Sequence, residues 1–467
     1  MIINLKRDLV YTFAAQGMAI LLNLMLNLLV PKVLGIEAFS YWQLFLFYSV
    51  YIGFFQFGLN DGIYLKYGGK DYNDINHKLI GGQFGILIVS QIVLFVLLFV
   101  LISIYVYDKT RSLILYLTLL NMFETCLIGF ITYMFQATCR IASFAKIIML
   151  EKFSLFILLV FLLILKVNDF YFYIYIFLIS KTISLCYSLW IASKVIKWVY
   201  LLWHRDVLIE AKNNYISGSK LMLAVVSSLL LIGISRYVVD YKWGIVAFGK
   251  FSLALSLMNF ILLFISQAGM VLFPFLRNLT KQEARDFYLL SDRLLNVLLY
   301  FALCLYYPLS LFIFVWLPQY KESLFYFSFL LPICVFDGKV QMLFMPYLKT
   351  FRKESLLLGI NLASLLLNVS ICLYAIHIEQ LFLVLLALLL SVILKAFLLG
   401  MAITRILNIA FLRIFLLDII AMLIFLYSYV LSDKYWTNFL YPFCFLIFFI
   451  MHFRKLRMDY YMIKKIV

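Results

Sequence analysis

Apolar stretches of 18 residues or more follow one another along almost the entire chain, parted by short polar breaks. A bilayer core about 30 Å thick takes ~20 apolar residues per helical crossing. The pattern predicts spans near 9–31, 38–58, 81–107, 112–137, 147–166, 170–193 and 218–238. Seven more are predicted near 245–273, 294–317, 324–348, 355–376, 381–404, 411–431 and 436–453. The alternating strands of an outer-membrane barrel are absent from the pattern. The expected fold is therefore an all-α membrane protein with about fourteen transmembrane helices. The first apolar run follows Lys6 and Arg7, is about 22 residues long, and ends at Pro31-Lys32 without a small-x-small motif, so a cleaved signal peptide is not expected.

Composition sharpens this picture. The chain is 66% hydrophobic and 13% charged, outside the range of soluble domains. Its formal net charge of +17 is unevenly placed. With the amino terminus inside, 27 Lys and Arg fall on cytoplasmic segments and 9 on outer ones. That bias sets the orientation and puts both termini in the cytoplasm. The surplus reads as an orientation signal and an attraction to membrane lipids with anionic headgroups, not as a nucleic-acid surface. The seven cysteines include no C-x-x-C pair, and the four histidines are scattered at span edges and loops. No metal site or His-centred catalytic set is expected.

An internal echo organises the chain. Gly35-Ile36-Glu37-Ala38-Phe39-Ser40 and Gly244-Ile245-Val246-Ala247-Phe248-Gly249 match at four of six positions, 209 residues apart, and each opens a span. A duplication giving parallel repeats explains this. We expect a six-helix lobe over 1–193, a cytoplasmic amphipathic linker over 194–217, and a second six-helix lobe over 218–405, related to the first by pseudo-two-fold symmetry. A C-terminal helix pair and a basic tail occupy 406–467. The linker interleaves Trp198, Leu201, Leu202 and Trp203 with Lys197, Arg205 and Lys212, which suits a helix in the interface plane.

The candidate chemistry lies inside the spans, where a charge costs about 2.5–3.5 kcal/mol. Glu124, Lys181, Asp337, Lys339 and Lys395 are deep, while Arg236, Asp240 and Lys250 lie toward the outer side. Among these, cations outnumber acids, and confined positive charge favours an anionic substrate such as a phosphate or diphosphate. Pro274, Pro308, Pro332 and Pro346 are positioned to bend helices. The glycines at 53, 58, 62, 68, 69, 81, 82 and 85 permit close helix approach.

Several segments carry a family resemblance. Pro31-x-x-Leu34-Gly35 with Phe39, FGLNDGIYLKYGG (57–69), QATCRI (136–141), ISRYVVDYKWG (234–244) and VLFPFLRNL (271–279) resemble polysaccharide flippases of the Wzx type. These belong to the multidrug, oligosaccharidyl-lipid and polysaccharide exporter superfamily. The resemblance covers nearly the whole chain, through short and degenerate motifs. It implies two six-helix lobes plus a terminal pair, a cationic cavity between lobes, and alternating access. It also implies movement of an undecaprenyl-pyrophosphate-linked oligosaccharide across a bacterial cytoplasmic (inner) membrane, for O-antigen, capsule or exopolysaccharide. A polysaccharide polymerase and a chain-length regulator are the implied protein partners. Arg236 matches the family arginine closing span 7, but Ser235 stands where an Asp is common, and an acid comes only at Asp240.

On this reading Lys181, Lys339, Lys395, Arg236, Lys250 and Glu124 line the substrate path. Glu124, Asp337 and Asp240 are candidates for coupling to a proton or sodium ion. No cofactor is expected beyond such an ion, and no enzymatic activity. Two alternatives stay open. A drug or cation antiporter of the same superfamily calls for an acid-dominated cavity. A membrane polymerase or transferase calls for carboxylates, Arg or His on a large outer loop, and every outer segment here is short.

Overall fold

The computed structural model describes residues 17–276, 280–351, 353–430 and 439–451, and every regular element among them is helical. Lys6, Arg7, Arg277, His452 and the basic tail lie outside the described residues, as does the end of the 271–279 motif. The first half contains α1 (Val30–Tyr51), α2 (Leu59–Tyr67), α3 (His77–Tyr105), α4 (Lys109–Ala137), α5 (Ile141–Ile164) and α6 (Phe170–Ile191). A single long element, α7 (Arg205–Leu276), follows. Beyond it come α8 (Lys281–Cys304), α9 (Tyr306–Trp316), α10 (Lys321–Leu330), α11 (Ile333–Lys339), α12 (Met345–Thr350), α13 (Glu354–Ile378), α14 (Leu381–Leu407), α15 (Phe411–Val430) and α16 (Leu440–Met451).

Among the described residues, nine helices are long and apolar enough to cross a membrane, or ten if one bent pair is a single span. Two more apolar helices, Ile414–Val430 and Leu440–Met451, are shorter. The count differs from the expected fourteen for identifiable reasons. Helix runs on from Gly17 to Gln56 and from Arg205 to Leu263, so each stretch merges two expected spans. Within them, Gly35 (φ 75°, ψ 179°) and Gly244 (φ 82°, ψ 178°) break the helical path. That region of backbone space is open essentially to glycine alone. The bent pair, Pro318–Leu330 with Ile333–Thr350, turns by 48° beside Pro332, whose ring cannot continue the helical ladder.

Helix starts follow from side chains able to accept orphan backbone N–H groups. Asn76 accepts from the amides of Lys78 and Leu79, Asp108 from Thr110 and Arg111, and Asp169 from Tyr171. Thr280 and Glu283 form a reciprocal capping box at the start of α8. Along α3, Ile92, Val93, Val96, Leu97 and Val100 are exposed large apolar residues. A helix with such a face needs lipid or protein against it.

The chain forms two compact units, Met1–Val226 and Ser227–Val467, with the boundary inside α7. In the first unit, Ile63, Tyr67, Ile80, Phe84, Phe130, Met134, Phe135 and Ile147 form one buried core. The 194–217 segment is not one in-plane helix. It has a turn at Ser193–Ile196, a 3-10 turn at Val199–Trp203, and then the start of α7. Glycines explain its seat. A Cβ on Gly81 or Gly85 would collide with the carbonyls of Val195 and Val199, and one on Gly82 with Val207. In the same way Gly58 and Gly62 face the backbone at 214–219, and Gly218 faces Gly58. A polar strip pins this seat. Glu210 accepts from the Tyr67 hydroxyl, lies 3.1 Å from the Lys66 Nζ and 3.4 Å from the Gln83 Nε2, and Asn214 donates to Gln83 at 2.7 Å.

In the second unit, aromatic rings hold α9, α10 and α15 together. Tyr306 stacks on Phe327 and meets Phe425 and Tyr429 edge-on. α15 belongs to this unit through buried polar contacts as well: Tyr307 bonds Ser428 at 2.8 Å, and Tyr300 reaches Asp418.

Candidate functional site

Of the charges expected to be deep, Lys339 and Lys395 are buried and Glu124, Lys181 and Asp337 half-buried, and the packing gives most of them a partner. In the first unit, Lys181 on α6 lies 3.2 Å from Glu151 on α5, which also meets Lys152 at 3.4 Å. Its ammonium sits 5.8 Å from the Phe177 ring centre. Glu124, midway along α4, accepts from Thr182 Oγ1 at 2.6 Å through one carboxylate oxygen. Its other oxygen is buried without a hydrogen-bond partner among the described residues. Glu124 and Lys181 are thus neighbours without being an ion pair.

In the second unit the same chemistry divides into two sites. Lys339, at the end of α11, is only 3% exposed at its side chain and is enclosed by two carboxylates. Its Nζ lies 2.6 Å from Asp418 on α15 and 3.1 Å from Asp292 on α8. Tyr300 donates to Asp418 at 2.7 Å, and Asn296 donates to Asp292 at 3.2 Å. The ladder shifts to a π-turn over Val340–Phe344 immediately after Lys339. Such turns are rare and often mark functional positions. The second site is looser. Lys395 on α14 donates to Ser228 Oγ at 2.9 Å, with Asp337 at 3.8 Å. Asp337 in turn accepts from Gln341 at 2.6 Å.

The outer candidates are placed separately. Arg236 donates to Ser252 Oγ at 2.9 Å and lies 5.0 Å from the Phe248 ring centre. Asp240 is buried in the same part of α7. Lys250 pairs with the exposed Glu322 at 2.8 Å. Near this end Lys242 meets Glu379 at 2.5 Å, and the ammonium holds the Glu379 carboxyl below the usual carboxylate range.

Two expectations change. The surplus of cations does not survive the fold, because Glu151, Asp292 and Asp418 join Glu124 and Asp337 among the buried or half-buried acids. Lys339 is not a substrate-facing ammonium here, since two carboxylates enclose it. Sequence reasoning missed these three acids for different reasons. Asp418 lies at the centre of the expected span 411–431 and carried the same signal as Asp337. Asp292 falls in a run of polar residues that reads as a loop, and Glu151 in one that reads as a span edge. Among the described residues, no group of three or more His, Cys, Asp or Glu could hold a metal ion.

No protein-family model matches this sequence, and no curated protein matches it. Solved structures do. The lipid II flippase MurJ, in an inward closed conformation, aligns with a TM-score of 0.60 at 12% identity, covering 96% of this chain and 99% of its own. An inward-facing multidrug resistance MATE family transporter of the MOP superfamily aligns with a TM-score of 0.57 at 13% identity, covering 83% and 96%. At such low identity the likeness speaks for architecture: this chain is a multi-pass helical membrane protein with the fold of MOP-superfamily transporters.

Proposed function

We propose that this protein is a flippase that carries an undecaprenyl-pyrophosphate-linked oligosaccharide across the bacterial cytoplasmic membrane by alternating access. The observation that carries the reading is Lys395. It is a buried ammonium midway along an apolar helix, held by one serine hydroxyl and by a carboxylate too distant for a close pair. A buried charge kept in so loose a setting is expensive unless something uses it. Exchange of Asp337 for a substrate diphosphate would satisfy the ammonium with a stronger acceptor. Lys181 is the matching candidate in the first unit, with Glu124 beside it as the carboxylate able to exchange a proton or sodium ion. The likeness to a lipid II flippase is consistent with a lipid-linked cargo.

The test uses a strain deleted for this gene and complemented with Lys395→Gln or Lys181→Gln. Membrane levels of the tagged protein should stay normal while surface polysaccharide is lost and a lipid-linked repeat unit accumulates on the cytoplasmic side. Normal polysaccharide in both variants would remove the lysines from the transport path. One observation favours a second reading, an antiporter of drugs or cations: carboxylates outnumber lysines among the deep charges. Drug efflux by this protein in a sensitised strain, with no polysaccharide defect on deletion, would select it.

A further inference from the structure

Two of the motifs singled out in the sequence converge on a place that the transport reading leaves unused. The 57–69 segment ends at Gly69, and the 136–141 segment turns at Cys139 and Arg140. The Gly69 amide donates to the Ala137 carbonyl at 2.9 Å, joining the two segments. Both turns hold left-handed backbone, with φ 86° at Gly69 and φ 55° at Cys139. A non-glycine residue such as Cys139 is held there against its steric preference, and such strain concentrates at ligand sites. Between the turns lies a cavity of about 310 Å³, lined by Lys70, Asp71, Tyr72, Thr138, Cys139 and Arg140 among others.

The lining has the chemistry of an anion site. The Arg140 guanidinium lies 4.0 Å above the Tyr72 ring, and no carboxylate is paired with Arg140 or Lys70 among the described residues. Asp71 is the one carboxylate in the lining, and one of its oxygens accepts from the Asn73 amide at 2.8 Å. Tyr72 is 2% exposed, and its hydroxyl has no hydrogen-bond partner among the described residues. A buried hydroxyl left without a partner is costly, and a ligand oxygen would relieve it. Burial pushes the phenol up from its ordinary range, so it stays a donor. The His77 ring lies 4.9 Å from that of Tyr72, and the charges of Arg140, Lys194 and Lys197 all act on it. Arg140 and Lys70 thus share the pocket with one unsatisfied donor.

We infer that this pocket at the α2–α3 and α4–α5 turns binds a phosphate group, with Arg140 and Lys70 as the charged ligands and the Tyr72 hydroxyl as the neutral donor. A guanidinium presenting paired N–H groups is suited to phosphate oxygens. The phosphate belongs either to a soluble phosphate or diphosphate or to the headgroup of an anionic lipid. This site is separate from Lys181 and Lys395 and stands without the translocation reading.

The experiment uses the full-length protein in nanodiscs. Inorganic phosphate and pyrophosphate are titrated by calorimetry in phosphatidylcholine discs, and retention of phosphatidylglycerol from mixed discs is read by native mass spectrometry. Wild type binds at least one of these probes. Arg140→Gln weakens that binding about tenfold and Lys70→Gln or Tyr72→Phe several-fold, while Lys109→Gln has no effect. Binding of pyrophosphate in the lipid-neutral disc identifies a soluble ligand. Retention of phosphatidylglycerol without it identifies a headgroup. If Arg140→Gln does not fold, Lys70→Gln and Tyr72→Phe carry the test. No binding of any probe by wild type, or binding unchanged in the folded variants, overturns the site.

Discussion

Gly35 and Gly244, 209 residues apart, hold the same backbone conformation to within a few degrees, and each is followed four residues later by a phenylalanine with no exposed surface. The short match in sequence is therefore also a match in local structure. Each glycine interrupts its helix at the entry to a span, and each leaves open space where a Cβ would stand. The backbone angle, not crowding, is what demands glycine here.

Replacing either glycine with alanine should destabilise its unit by about 1–3 kcal/mol through strain alone. Thermal unfolding of the purified protein checks this. Gly35→Ala and Gly244→Ala should lower the midpoint by similar amounts, since their surroundings are alike. No shift in either would mean that the helix simply closes over the break.

The Lys339 cluster makes an asymmetric prediction. Lys339→Met leaves two buried carboxylates without their one cation, and breaking such a cluster costs about 3–5 kcal/mol. Lys339→Met combined with Asp292→Asn and Asp418→Asn removes all three charges and should recover most of the loss. Fluorescence-detected size-exclusion after heating compares the two. Equal loss in both would show that packing, not charge pairing, dominates.

Gly218 and Gly359 form a natural pair of controls. A side chain at Gly218 would enter the backbone around Gly58, whereas Gly359 on α13 faces open space. Gly218→Ala should cost about 1–3 kcal/mol through overpacking. Gly359→Ala should be neutral or stabilising by up to about 1 kcal/mol, because alanine favours helix. Protease sensitivity near the exposed Trp203 reports loosening of the linker in the first variant.

The Lys242–Glu379 pair sets a pH dependence. The hydrogen bond from Lys242 and its charge depress the Glu379 carboxyl below its ordinary value of 4.5. A depressed carboxylate contributes stability above the unfolded value and loses it as pH falls through the lower folded value. Because Glu379 is fully exposed, the effect is small and salt should screen it. Infrared titration should show this carboxylate protonating below 4.5 in low salt and nearer 4.5 in high salt, with Glu379→Gln lacking the band.

The membrane class was legible in the sequence because successive ~20-residue apolar runs match the thickness of a bilayer core. Pro332 as a bend and the Gly35/Gly244 pair as a repeat were legible too. What the sequence could not supply was partnership. Lys339, Asp292 and Asp418 lie on three helices far apart in sequence, so the sign of the site depends on contacts that no local pattern encodes. The linker failed differently. Its Trp and Leu spacing fits a helix lying on lipid, but the decisive feature is on another element, where Gly81, Gly82 and Gly85 leave a groove for its backbone. Gly58 and Gly62, read as permitting close approach, do face the backbone at 214–219.

The enclosure of Lys339 also constrains how the polypeptide is made. Asp292 enters the membrane first, Lys339 follows, and the second carboxylate arrives only with residue 418. Until then the Lys339 ammonium lacks the nearer of its two carboxylate acceptors, and chains that stall before α15 offer quality-control proteases an unfinished substrate.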